Sequence, residues 1–171
     1  MQKYIKYLVE SFIDDENEIT DIDLNFDNRL PYVDLGLPSR TLWARCNLGA
    51  NSPEEYGLYY QWGSLECHEA ETFDFNENDY YEKYSENYYG LSELKEEDDA
   101  AYVESNGLSR IPTKEQIQEL IDNCEYKWTK LNGVEGAKFT GPNGNSIFIP
   151  AAGYCSGSSI YNVGSYCYIW I

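Results

Sequence analysis

Histidine is almost missing from this sequence: His68 is the single copy in 171 residues. A catalytic nucleophile needs a base within hydrogen-bond reach. Here the imidazole stands next to Cys67, and neighbours on a strand face opposite ways, which is poor geometry for a Cys/His pair. The same scarcity argues against a metal-thiolate centre. Five cysteines (Cys46, Cys67, Cys124, Cys155 and Cys167) are scattered along the chain, and Cys67-His68 lacks two further ligands at regular spacing. An odd cysteine count fits reduced thiols better than a disulfide framework. Long apolar runs are missing too. No stretch approaches the roughly 20 residues of a membrane span, and Met1 to Asp15 has neither the apolar region nor the small-residue cleavage site of a secretion signal. Basic residues are few, with 12 Lys and Arg against 30 Asp and Glu, a net charge of −18. A surface of that sign repels phosphate backbones and anionic lipid, so nucleic acid and membrane are not expected as partners. No catalytic residue, metal or cofactor is expected.

The charge is local. Residues 1–28 carry eight acids and two lysines, and residues 66–104 carry fourteen acids and two lysines, so the remainder is neutral. Two solvated segments on an ordinary globular body is the reading. Paired acids such as Glu54-Glu55, Glu96-Glu97 and Asp98-Asp99 are taken as solvated faces. Seventeen tyrosines against six Phe and four Trp suit a β-rich core and contact surfaces, because Tyr has a ring to bury and a hydroxyl to keep wet.

Met1, Tyr4, Ile5, Leu8, Val9 and Phe12 recur at helical spacing, which predicts an amphipathic helix over residues 1–13. Residues 14–29 form an acidic linker in which Asp21-Ile22-Asp23-Leu24-Asn25-Phe26-Asp27 alternates as a half-buried strand does. That run lacks the sixth-position glycine of a calcium loop, and Tyr32 stands where its bidentate Glu belongs. Residues 31–65 mix short apolar runs with turn residues, and 66–97 read as a long acidic surface excursion. Ile111-Pro112 precedes the clearest helix, Thr113–Asn123. Thr113 with Gln116 makes a capping box, and Ile117, Leu120, Ile121 and Cys124 line one face, to pack near Trp43 and Trp62. Hairpins follow at Asn132-Gly133 and at Gly141-Pro142-Asn143-Gly144, the latter lacking the Lys and the strand–loop–helix setting of a phosphate cradle.

Four stretches in fixed order, YVDLGLPSRTLWARCNLGA (32–50), SPEEYGLYYQWG (52–63), SRIPTKEQIQELIDNC (109–124) and TGPNGNSIFIPAAGY (140–154), closely resemble the Fibrobacter succinogenes major paralogous domain family. The resemblance implies an α+β, C-type-lectin-like domain with small antiparallel sheets over residues 30–171, preceded here by the N-terminal helix. Arg40 stands where that family commonly has Gly, and Cys155 and Cys167 where Arg and Gly are common. The family occurs on surface proteins of gut Bacteroidetes and in their phages, and it commonly continues past the point where this chain stops. It supplies no family-wide catalytic residue to carry over.

From these readings comes an expected function: a non-catalytic structural or interaction module, a phage virion component attached to a capsid or tail by its N-terminus. Other protein subunits are its expected partners, docked on Tyr4, Ile5, Leu8, Val9 and Phe12 and on a C-terminal strand containing Tyr168, Ile169, Trp170 and Ile171. In that strand Tyr166, Tyr168 and Trp170 would face one way and Cys167, Ile169 and Ile171 the other, both faces calling for cover from another chain. The alternative is adhesion to a host surface glycan or receptor at the virion or cell surface, with Tyr80, Tyr81, Tyr84, Tyr88 and Tyr89 as stacking platforms.

Overall fold

The computed structural model describes residues 8–9, 32–68, 94–156 and 159–171. Strand β3 (Leu42–Ala44) lies at the centre, with every residue buried. It is flanked on one side by β2 (Tyr32–Asp34), where Val33 stands opposite Trp43, and on the other by β1 (Leu8–Val9), where Leu8 stands opposite Trp43. The turn leading into β3 holds Arg40 at φ 60, a left-handed conformation that costs a residue with a Cβ and suits glycine.

Strand β1 corrects the expected N-terminal helix at the two positions where it can be compared. An isolated three-turn helix is marginal, whereas β3 without β1 would present an unpaired edge beside the core. Pairing Leu8 and Val9 to Trp43 and Leu42 closes that edge. Tyr4, Ile5, Phe12 and the alternating run 21–27 lie outside the described residues.

Helix α1 (Ala100–Glu104), entered through a 3-10 turn at Glu96–Asp98, was not read from the sequence. Helix α2 (Lys114–Asn123) was, and its capping box is complete. Gln116 N donates to Thr113 Oγ1 at 3.3 Å and Thr113 N donates to Gln116 Oε1 at 2.8 Å. From α2, Leu120 and Ile117 pack with Leu35, Leu37, Trp43 and Ile147, with Cys124 and Phe139 at the margin. Ile121, expected in this core, is 55% exposed. The buried seam follows Ile117, Leu120 and Cys124, and the next residue after Leu120 is turned about 100° away from it on a helix. Trp62 is not near this seam either. It belongs to a second cluster of Ala44, Leu48, Tyr60, Ala100, Ala101 and Ile111. Successive residues of β3 thus serve two cores, Trp43 one and Ala44 the other, as the period of two requires.

Strands β4 (Tyr59–Tyr60) and β5 (Cys67–His68) pair antiparallel, so the acidic excursion begins from an ordered strand. After α2, β6 (Glu125–Leu131), β7 (Val134–Thr140) and β8 (Ser146–Pro150) form an antiparallel sheet in that order. Asn132 at φ 48 and Gly133 at φ 86 make the two-residue β6–β7 connection, the positive-φ pair that the Asn-Gly signal predicts. A final hairpin joins β9 (Tyr154–Ser156) to β10 (Ser159–Tyr161). The architecture is α+β with small antiparallel sheets.

The expected C-terminal strand is absent: residues 166–171 run as irregular chain. Trp170 packs tilted against Trp62 at 5.1 Å and its Nε1 donates to Tyr60 O at 3.2 Å, which settles both its ring and its polar tip on its own chain. Tyr168 joins a third cluster with Tyr59, Ala152 and Cys155. Ile169 is half-buried, and Ile171 remains 46% exposed.

Candidate functional site

The side chains that gather on one surface without being used up inside it are tyrosines, and the β9–β10 hairpin with the turn after it builds their platform. Past β8 the chain runs buried through Ala151 and Ala152 to Gly153. Gly153 has φ 71, and a Cβ there would overlap Tyr161 O and press on Val163 N, so only glycine lets the two backbones pass this closely. Hydrogen bonds from Gly153 N to Tyr166 O (3.1 Å) and from Gly164 N to Ala151 O (2.7 Å) tie the two segments together. Asn162, at φ 59, reverses the chain, and its carbonyl accepts from Ser165 N at 3.1 Å and Tyr166 N at 3.2 Å.

Register then sorts the side chains. Cys155 opposite Ile160 points into the third cluster, and Tyr154 opposite Tyr161 occupies the other face of the hairpin. The Tyr154 and Tyr161 rings stack at 5.4 Å and 24°. Tyr168 meets Tyr154 edge-on at 5.1 Å, and Tyr166 lies 6.1 Å from Tyr168. Asn162 Nδ2 donates to Tyr168 OH at 3.0 Å, holding that phenol in place. Below, Tyr154 and Tyr168 pack on the cluster of Tyr59, Ala152 and Cys155, in which the Tyr59 hydroxyl donates to Ala152 O at 3.2 Å. Above, Tyr161 is 46% and Tyr166 58% exposed, with Val163 beside them at 44%. The rings are fixed from beneath and bare on top.

The ionisable groups under this platform are held neutral. Burial pushes the Cys155 thiol up to about 12, and burial together with Cys155 raises the neighbouring Tyr59 phenol. Cys46 Sγ donates to Ala50 O and Cys167 Sγ to Ile149 O, each at 3.2 Å, and burial with the nearby Glu119 raises Cys124. Burial thus works against the thiolate form of Cys155 and Cys124. Among the described residues no three His, Cys, Asp or Glu side chains converge to hold a metal ion, and no helix is long and apolar enough to cross a membrane.

One acid departs from the solvated-face expectation. Asp99, in the Asp98-Asp99 pair, is 5% exposed. Its Oδ1 accepts from Ala101 N (2.8 Å) and Tyr102 N (3.2 Å), capping α1, while Oδ2 accepts from Ile111 N at 2.9 Å. Burial raises its pKa, and the three N–H groups and Arg110 pull it back. Each oxygen accepts from backbone, so the group locks α1 to the approach of α2.

Of the residues singled out from sequence, Tyr168 joins the tyrosine platform and Trp170 a core cluster, so these two are not gathered into one docking strand. Tyr80, Tyr81, Tyr84, Tyr88 and Tyr89 lie outside the described residues. Tyr154, Tyr161 and Asn162 were missed. The available signal was Gly157-Ser158 placed symmetrically between Tyr154 and Tyr161, a two-residue hairpin pattern that brings those tyrosines opposite each other. Comparisons with protein-family models, with curated proteins and with solved structures find no match to this chain.

Proposed function

We propose that the chain is a non-catalytic binding module, that its contact surface is the face formed by Tyr154, Tyr161, Tyr166, Tyr168 and Asn162, and that its ligand is a surface glycan. The observation that carries this reading is the stacked Tyr154–Tyr161 pair, rooted in a core cluster and half-bare to solvent. Aromatic faces accept the C–H faces of sugar rings, while phenol and amide groups around them bond hydroxyls. Rings already held by packing lose little conformational freedom when a ligand settles on them.

A C-type-lectin-like arrangement of the α+β elements, and a setting on a virion or bacterial cell surface, belong to the same proposal and rest on the four sequence stretches that resemble the paralogous-domain family. The structural-subunit reading, with the N-terminus as a helical anchor, is the weaker of the two, because Leu8 and Val9 are engaged as a strand on β3. Glycan-array binding by the full chain tests the module reading. Signal that disappears in Tyr161→Ala and Tyr166→Ala, with the fold intact by circular dichroism, supports it; an array without signal, or signal indifferent to both changes, refutes it.

A further inference from the structure

The β6–β7–β8 sheet carries a second surface that owes nothing to the tyrosine face. β6 is an edge strand of seven residues, and among the described residues no strand lies on its outer side. Its alternate N–H and C=O groups therefore point outward, the arrangement that recruits another strand. Register divides its side chains between two faces. Tyr126 and Trp128 share a face with Phe139 and Ala137, and they are 58% and 38% exposed. On the opposite face Lys127 stands directly across from Lys138 of the central strand β7.

That lysine pair is the informative feature. Like charges directly opposite one another destabilise a sheet. Both lysines are exposed and neither has an ion-pair partner among the described residues, in contrast to Lys130, which bonds Glu135 at 3.1 Å. A lysine on an edge strand is a common guard against aggregation. A second one on the central strand adds nothing to that guard, and in a chain of net charge −18 carboxylates to neutralise the pair are plentiful. The strand that fits β6 presents carboxylates on one face, to meet Lys127 and Lys138, and apolar side chains on the other, to cover Tyr126 and Trp128.

This chain contains a sequence of that pattern. Once extended, Asp21-Ile22-Asp23-Leu24-Asn25-Phe26-Asp27 would put three carboxylates on one side and Ile, Leu and Phe on the other. Among the described residues nothing covers Tyr126 and Trp128, and the same segment of another copy matches this edge in charge and in apolar pattern. The 22 residues between Val9 and Tyr32 would span about 70 Å if extended, and a loop tied at both ends still reaches about half as far. We propose that residues 21–27 of a second copy add to the outer edge of β6, reciprocally, to give a two-fold dimer.

Sedimentation equilibrium on the full chain and on two charge-reversed variants tests this. The wild type should sediment at twice the chain mass at high concentration. Lys127→Glu with Lys138→Glu, and separately Asp21→Lys with Asp23→Lys, should each sediment as a monomer. An equimolar mixture of the two variants should recover the dimer, because each edge then meets an arm of opposite charge, and that recovery shows both variants to be folded. A monomeric wild type, a variant that dimerises as the wild type does, or a mixture that stays monomeric overturns the proposal.

Discussion

Trp43 and Tyr161 are both aromatic and both stand on strands, yet their surroundings are opposite. Trp43 is fully enclosed by Leu35, Leu37, Leu120 and Ile147, and Asp99 likewise spends both carboxylate oxygens on backbone N–H groups. Tyr161 has its ring stacked on Tyr154 and about half of its surface in water. Enclosure gives stability and leaves nothing to offer a ligand. Half-enclosure gives up part of that stability and leaves a rigid, wettable surface. Residue type does not distinguish these outcomes. Position relative to β3 and to the β9–β10 hairpin does.

The contrast breaks most visibly at Trp43. Truncation to Ala should cost about 3–5 kcal/mol in denaturant unfolding, since a fully buried indole leaves a cavity its neighbours cannot fill. Trp43→Phe should cost much less, because Trp43 Nε1 is buried with no acceptor and the substitution removes that unmet donor while keeping a ring.

Asp99→Ala should cost about 2–3 kcal/mol by the same assay, having stripped three buried N–H groups of their acceptor. Asp99 also has a pH signature. Burial raises its folded-state pKa above the usual 3.8, so the folded chain binds this proton more tightly than the unfolded chain. Its contribution therefore favours folding increasingly as pH falls through the folded value, and is smallest above it. The stability advantage of wild type over Asp99→Asn should widen between pH 7 and pH 4; a gap that narrows would reverse the assignment.

Gly153→Ala sharpens the comparison from the other side. Its Cβ meets Tyr161 O at a positive φ, so about 1–3 kcal/mol of strain is expected, with a change in the near-ultraviolet tyrosine signal as the Tyr154–Tyr161 stack shifts. Smallest of all in stability are Tyr161→Ala and Tyr166→Ala. Unfolding costs of about 0.5–1.5 kcal/mol are expected, because each ring is about half in water already and Tyr161 loses only its stack on Tyr154.

What could be read from the sequence was what local chemistry decides. Thr113 and Gln116 announced α2, and Asn132-Gly133 announced the β6–β7 hairpin, because caps and positive-φ turns are fixed by residues a few positions apart. The failures are tertiary. Leu8 and Val9 follow helical spacing, but β3 offers them an unpaired edge, and periodicity carries no information about edges. Tyr166 to Ile171 alternate like a strand, but Trp170 finds Trp62 and the Tyr60 carbonyl, so the segment never needs a pairing partner. Asp99 looked like one more solvated acid because its three donors lie on α1 and at Ile111, which no run of acids reveals. The candidate site fared similarly. Tyrosine abundance pointed to ring stacking, but which tyrosines converge depended on the β9–β10 register and on the close passage at Gly153.

The central claim is that recognition belongs to the tyrosine face of the hairpin. Glycan-array binding of three proteins tests it directly: wild type, the double variant Tyr161→Ala with Tyr166→Ala, and the double variant Tyr80→Ala with Tyr81→Ala in the acidic stretch. The account predicts that the first pair of changes abolishes binding with the fold intact while the second leaves binding as it was. Loss of binding in the Tyr80/Tyr81 variant, with full retention in the Tyr161/Tyr166 variant, would contradict it.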